Sequence, residues 1–323
     1  MIRIQNAALF ALVFSFAGPA TAAQAMRIST TEPENSHYGV LINTFATEVQ
    51  SRTDGRYKID AFFSGSLGGE REGTEAVQMG TQELALSSTG PIPNFVPEVA
   101  ILDVPFLFRD YAHARAVLDG PIGERLLQKF EPKGIKALGW CDNGFRHMTN
   151  NRRPVNAVGD LQGLKLRTME NPVHIEAFKA FGIIPTPMSF TEVYTSLQQG
   201  TVDGLEAPLT VLQANRLEQV QKYMTLTGHV FSPCALMMNK QAFDRLPPKD
   251  QAAFQEAAKL AIAANRARVD QVEREAVAYF RDKGMEVQTE VDKAPYQAAL
   301  GPVYERFAKR FGEKELAEIR DAR

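Results

Sequence analysis

An α/β fold, with helices layered on an open sheet, is what the hydrophobic patterning of this chain predicts, and three observations carry it. Strand-like and helix-like segments alternate along the chain, the order that layers helices against a mostly parallel sheet. The segment from Leu164 to Leu205 reads as a β-α-β-α-β run, a compact half of such a sheet. Beyond Pro247-Pro248 a helical pattern continues to Gly284. That is far longer than the average globular helix of about 11–12 residues, and long enough to reach across two domains. No repeat, low-complexity tract or flexible linker interrupts the sequence, so any division into lobes has to be made by strands that cross between them.

The elements follow in order. Met26 to Ser29 reads as a short strand. Tyr38, Leu41, Ile42, Phe45 and Val49 then recur at helical spacing, and Asp54-Gly55 ends that helix. Tyr57 to Phe63 is strand-like, Gly65, Gly68 and Gly69 make a link, Glu70 to Met79 is a helix, and Glu83 to Leu86 is a strand. Pro91, Pro93, Pro97 and Pro105 predict a long ordered loop on a surface or cleft rim. Asp110 is placed to cap a helix from Tyr111 to Leu118, closed by Gly120, and Ile135 to Trp140 reads as a buried strand. Asn171-Pro172 is a helix cap followed by proline at the first helical position, Ile175, Phe178 and Phe181 form the apolar stripe, and Gly182 closes the helix. Ile183-Ile184 starts a strand that Pro185 and Pro187 should cut short. Ser189 to Glu192 has the form of a capping box before a short helix through Val193 and Leu197, and Val202 to Leu205 is a further strand. In the long final helix Phe254, Ala258, Ile262, Val269, Val272, Ala276 and Phe280 are apolar among good helix formers.

The N-terminus has a separate character. A basic start at Arg3 precedes an apolar stretch from Ala7 to Ala20 and two A-x-A sites, Ala20-Thr21-Ala22 and Ala23-Gln24-Ala25. This is the form of a secretory signal peptide over residues 1–25, with cleavage expected after Ala25. The apolar run is short for a membrane span, Gly18-Pro19 breaks it, and no lipobox cysteine follows, so the mature chain is expected to be soluble without a membrane anchor. The 323 residues are 44% hydrophobic and 23% charged, enough for a sizeable core, and a net charge of -2 gives no basic face for nucleic acid. Cys141 and Cys234 either pair in an oxidising compartment or stay as two buried thiols; their separation is not legible in the sequence. Two cysteines and five scattered histidines make no zinc spacing, and neither a metal nor a cofactor is expected.

Residues Gly163 to Pro208 read GLKLRTMENPVHIEAFKAFGIIPTPMSFTEVYTSLQQGTVDGLEAP. This closely resembles the solute-binding proteins of TRAP (tripartite ATP-independent periplasmic) transporters, with their G-L-K-[IL]-R strand, P-T-P-M segment, [FS]-E-V-Y helix, L-Q-Q-G and V-D-G-x-E. Thr191, between Phe190 and Glu192, is the visible departure. Phe62 to Gly69, Asp103-Val104-Pro105-Phe106 and Asn143-Gly144-Phe145-Arg146 resemble further family segments, so the resemblance spans the mature chain. It implies a two-lobed periplasmic binding protein of the Venus-flytrap kind. The expected division is 26–143 with 234–272 in one lobe, and 144–233 with 273–323 in the other. It also implies a monomer that captures a small carboxylate in the periplasm and delivers it to a TRAP membrane permease. By the same resemblance Arg167 pairs with the ligand carboxylate in a two-pronged contact, Arg146 is a second cleft arginine, Phe190 packs beside the ligand, and Ser36, His37 and Ser88 are pocket positions. The sequence departs from the sialic-acid members at Ser88 and at Glu206-Ala207-Pro208, which leaves other organic acids open and favours a sugar acid such as a uronate or an aldonate.

The residues argue the same chemistry on their own. A guanidinium is planar, always charged and able to donate two parallel hydrogen bonds to one carboxylate. Arg167 ends a strand just before a helix opens at Asn171, and ligands of open α/β sheets collect at the carboxyl ends of strands. The competing role is a structural ion pair with Glu170 or Glu206. Arg146, on an expected crossing strand, either faces the cleft or forms an inter-lobe salt bridge. Asp142, Asn143, Asn171 and Glu206 are candidate hydroxyl partners, Arg71 follows the glycine link, and His174 is expected to be exposed. No G-x-S-x-G, H-E-x-x-H, Walker loop or dinucleotide fingerprint occurs, so no catalytic residue is assigned. A ligand-sensing protein feeding a receptor is the main alternative to transport, and an enzyme of the same compartment a more distant one.

Overall fold

The computed structural model describes residues 23–322, so most of the expected signal peptide lies outside the described residues. One nine-stranded mixed sheet organises the chain. Its strands are β1 (Gln24–Ser29), β2 (Tyr57–Phe62), β3 (Leu84–Ser88), β4 (Ile135–Asn150), β5 (Lys165–Thr168), β6 (Ile184–Pro187), β7 (Gly204–Pro208), β8 (Tyr223–Asn239) and β9 (Glu286–Gln288). The order is β2-β1-β3-β8-β4-β7-β5-β6, with β9 also on β8. Parallel strands lie at both ends, β1 with β2 and β3, and β5 with β6 and β7. The long antiparallel pair β4 and β8 joins them: Cys141 faces Cys234 on the β3 side, and Met148 faces Thr225 on the β7 side. These are the crossing strands, and the two-lobed architecture follows from them.

The helices are α1 (His37–Arg52), α2 (Glu70–Met79), α3 (Tyr111–Asp119), α4 (Pro121–Gln128), α5 (Pro172–Ala180), α6 (Val193–Gln198), α7 (Leu209–Ala214), α8 (Lys240–Asp244), α9 (Pro248–Asp282), α10 (Ala294–Ala299), α11 (Gly301–Phe311) and α12 (Glu313–Arg320). α9 runs unbroken for 35 residues. Its first half packs Phe254, Ala258 and Ile262 against Leu41, Ile42 and Phe45 of α1, and its second half packs Val272, Ala276 and Phe280 against Leu205 and Leu212. Phe45 meets the Phe254 ring edge-on at 5.9 Å. Each such side chain, fully buried, contributes about 1.5–3 kcal/mol, and placing them on one helix couples both ends of the sheet to it.

Several local expectations change. The proline-rich segment is ordered as two 3-10 turns, Ile92–Asn94 and Pro97–Asp103, but it is not a surface loop: Val96, Val99, Ala100 and Leu102 are fully buried in the core beneath α3 and β8. Its prolines shape a buried plug whose apolar residues outweigh the loop composition. α4 was not expected, because its apolar residues are few and it follows α3 directly after Gly120. β6 is only four residues long and ends at Pro187, as expected, while Pro185 is held within it, which is tolerated because β6 is an edge strand with only β5 as partner. Ser189 caps nothing; its hydroxyl bonds Thr191 Oγ1 at 3.0 Å, and a 3-10 turn at Phe190–Glu192 leads into α6. Cleavage after Ala25 would remove the first two residues of β1, where the Gln24 amide donates to the Arg56 carbonyl at 2.8 Å, whereas cleavage after Ala22 leaves the strand whole. Cys141 and Cys234 form a disulfide across β4 and β8.

Candidate functional site

β4 breaks register between Asp142 and Gly144, and Gly144 adopts φ 129°, a conformation that a side chain resists. The kink lies where the two halves of the sheet meet. The carboxyl ends of β1, β3 and β5 converge beside it. They enclose a narrow cavity lined by Glu32, Tyr38, Glu70, Ser88, Arg146 and Arg167, with Asn143, Met169, Phe190, Pro208 and Val211 also on its wall. Such convergence is the usual place for ligands on open α/β sheets.

Arg167, near the end of β5, is 4% exposed. Its Nε and Nη2 both donate to the Met188 carbonyl, at 3.1 and 2.8 Å, and its guanidinium carbon stands 5.6 Å from the Phe190 ring centre. Among the described residues no carboxylate pairs with it, so neither ion pair considered for it forms. Of its five N–H groups the carbonyl takes two, which leaves the Nη1–Nη2 edge for a two-pronged contact. Burial pushes its pKa down to about 10; Glu206 opposes that and Arg146 adds to it.

Arg146 behaves differently. It reaches across from β4 to Glu206 on β7, making two side-chain bonds to the carboxylate and one of 2.8 Å to the Glu206 carbonyl. Burial pushes the Glu206 carboxyl up, but Arg146 and the His229 ring 3.4 Å away overcome it and hold the group well below the usual carboxylate range. Arg146 therefore lines the cavity with its charge already matched, which is the salt-bridge alternative raised by the sequence.

The opposite wall is acidic. Glu70, at the start of α2, accepts the Ser88 amide and hydroxyl, both at 2.7 Å. Burial raises its pKa, although the two Ser88 bonds and Arg167 oppose the rise. Glu32, just beyond β1, accepts from Asn215 at 2.8 Å, and burial pushes its carboxyl up to about 8, with a smaller push from Glu70. Tyr38 is buried and its hydroxyl has no protein partner among the described residues. Hydroxyls and carboxyls of this kind suit a polyhydroxylated ligand.

The cavity thus gathers Arg167, Arg146, Phe190, Ser88 and Asn143 of the residues singled out in sequence, whereas Asp142 is turned to Arg115. Arg71 stands at its outer end, 3.4 Å from Glu170. Four others are not brought to the wall. Ser36 caps α1, accepting from the Gly39 amide. His37 bonds Asn143 at 2.9 Å from behind; burial lowers its pKa to about 3, so it is a neutral positioning group. Asn171 caps α5 and donates to Asp103 at 2.8 Å, and Glu206 is buried behind Arg146. His174 is fully buried and not exposed, 3.6 Å from Asp103, because α5 lays its first turn on the buried 3-10 segment. Sequence reasoning missed Glu32, Glu70 and Tyr38. The strand-end rule that found Arg167 on β5 applies equally to the residues just after β1 and β3.

The cleft is shut in this structure. The glycine link after β2 meets the turn before α6: a Cβ on Gly65 would lie 2.6 Å from Thr191 Cγ2, and one on Gly69 would lie 2.5 Å from Ser189 Oγ. Gly69 itself has φ -76°, which any residue adopts. Gly69→Val is therefore expected to fold, because the Glu72 carboxylate that lies 2.6 Å from the new Cβ belongs to an exposed side chain that can turn away, yet to weaken ligand binding about tenfold, since the clash with Ser189 arises when the lobes meet. Small-angle scattering should show its ligand-induced compaction reduced; wild-type affinity and compaction would mean that this seam does not limit closure.

A family model described as bacterial extracellular solute-binding protein, family 7, matches residues 28–310. A solute-binding protein of Verminephrobacter eiseniae is 59% identical over 303 residues, covering 94% of this chain and 90% of that protein. Two solved structures are also close. A TRAP periplasmic solute-binding protein of Polaromonas sp. JS666, bound to D-erythronate, has TM-score 0.92 and 48% identity, covering 93% of this chain and 99% of that one. A second, from Bordetella, with density interpreted as pantoate, has TM-score 0.91 and 46% identity, with the same coverages of 93% and 99%.

Proposed function

The chain belongs to family 7 of the bacterial extracellular solute-binding proteins, with the fold of the TRAP type, and on that premise we propose that it captures a short sugar acid in the periplasm and delivers it to a TRAP membrane permease. Solute-binding proteins of this family serve transport, and we assign the chain no catalytic role of its own. The observation that carries the ligand class is Arg167: buried, charged, unpaired, with one donor edge left for a carboxylate. Glu70, Glu32, Ser88 and Tyr38 then receive the hydroxyls. The ligands of the two similar structures, D-erythronate and the acid interpreted as pantoate, are short hydroxylated monocarboxylates, which favours a four-carbon aldonate over a hexuronate. We place the lobe boundaries where β4 and β8 cross, residues 26–143 with 234–272 against 144–233 with 273–323.

A thermal-shift series with D-erythronate, pantoate, D-glucuronate and succinate tests the reading. A ligand at about a hundred times its Kd stabilises the folded protein by about 2.7 kcal/mol, so a rise of several degrees is expected with D-erythronate and less with D-glucuronate. No shift with any of the four acids would overturn the assignment.

A further inference from the structure

The cavity walls carry opposite charges. On the β5 side stands Arg167, whose guanidinium has no carboxylate contact among the described residues, while the charge of Arg146 is already taken up by Glu206. On the β1 and α2 side stand Glu32 and Glu70, neither of them paired with a cation in this structure. The cavity therefore has one free guanidinium at one end and two carboxyl groups at the other.

We propose, resting on the carboxylate reading of Arg167, that the site selects monocarboxylates carrying hydroxyl groups and rejects the dicarboxylates of the same carbon skeleton, with Glu70 as the residue that imposes the choice. An ionised carboxylate is an acceptor only, so Glu70 offers a ligand hydroxyl an oxygen to donate to. The Ser88 amide and hydroxyl hold that carboxylate in place, which fixes the direction of the bond. A terminal alcohol facing Glu70 gains a charge-assisted hydrogen bond. A terminal carboxylate there brings no proton, faces Glu70 across a closed cleft and finds no free cation. Like charges juxtaposed in a desolvated interface cost several kcal/mol. Two acids are already crowded here: burial and the nearby Glu70 push the Glu32 carboxyl up to about 8, so it is largely protonated at neutral pH and the negative charge at this end rests on Glu70. A third acid group in the same space adds to that load.

Two matched pairs test this by calorimetry on the wild-type protein at pH 7.5. D-Erythronate is compared with meso-tartrate, which is the same skeleton with its terminal alcohol oxidised to a carboxylate, and D-gluconate with D-glucarate in the same relation. In whichever pair binds, the dicarboxylate is expected to be at least about 30-fold weaker. In Glu70→Gln the gap should shrink to within about threefold, through loss of monocarboxylate affinity and gain of dicarboxylate affinity together. Glu70→Ala serves as a second variant should Glu70→Gln fail to fold, and the gap should narrow there too. A dicarboxylate bound by the wild type within about threefold of its partner overturns the charge selection while leaving the carboxylate site standing. So does a gap unchanged in the folded variants. Absence of binding by all four acids overturns the carboxylate site itself and this proposal with it.

Discussion

Arg167→Ala is expected to weaken binding of the carboxylate ligand by about a hundredfold or more. The guanidinium is 4% exposed, so solvent and salt screen it little. Hydrogen bonds to charged groups contribute roughly 1.5–3 kcal/mol each, and two parallel bonds through the free Nη1–Nη2 edge account for about 3 kcal/mol or more. Truncation also removes the group stacked over Phe190 and leaves a buried ligand anion without a partner. Arg167→Lys should recover only part of the loss, because a point charge cannot reproduce a planar fork. Stability should respond in the opposite sense. In the empty protein Arg167 is a buried charge with only a carbonyl for a partner, so Arg167→Ala should melt no lower than wild type. Calorimetry and thermal melts on the same samples separate the two effects. A folded Arg167→Ala protein that binds within a few-fold of wild type would move the carboxylate contact elsewhere.

Breaking the Arg146–Glu206 pair should produce the largest stability loss of any substitution at the site. Both side chains are buried, and the pair links β4 to β7 through three hydrogen bonds. Arg146→Met leaves the Glu206 carboxylate without its cation, and Glu206→Leu leaves a buried guanidinium without its anion. Either single change is expected to cost about 3–5 kcal/mol, while replacing both by apolar residues should cost far less, because the desolvation of two ions is removed along with their attraction. A double-mutant cycle in denaturant measures that coupling; additive losses would show that the two residues act independently. The pair also sets a pH dependence. The Glu206 carboxyl is held below its unfolded value of about 4.3, so its contribution is present above that pH and is lost as pH falls toward the folded value. Acid melts of Glu206→Leu should accordingly be flatter below pH 4 than those of wild type.

Within each element, the sequence alone was informative, because the signals that specify a helix or strand lie within a few residues of it. Asp110 and Asn171 cap α3 and α5 where their side chains accept the free amides of the first turn, and the apolar period that predicts α9 is carried by that helix without a break. Arg167 was legible for the same reason: a strand end, a cation and a helix start are adjacent in the chain. What lies between elements was not legible. The local pattern foresaw β4 only to Trp140, and its continuation to Arg146 was expected from the family resemblance alone, since its second half is mostly Gly, polar and charged residues that are buried by β7 and β8 and not by any local pattern. The partners of Arg146 and Asn171, 60 and 68 residues away, depend on which strands and loops become neighbours, and so does the burial of His174. The same holds for Cys141 and Cys234, 93 residues apart, which meet because β4 and β8 pair in one register. Glu32 and Glu70 complete the site by this route too. Each is an ordinary acidic residue in the sequence, and each becomes part of the site only when the carboxyl ends of three strands are brought around one cavity, where burial raises its pKa and leaves it facing Arg167. Side-chain chemistry and short-range periodicity are properties of the sequence, but desolvation and charge pairing depend on distances that only the packed sheet sets.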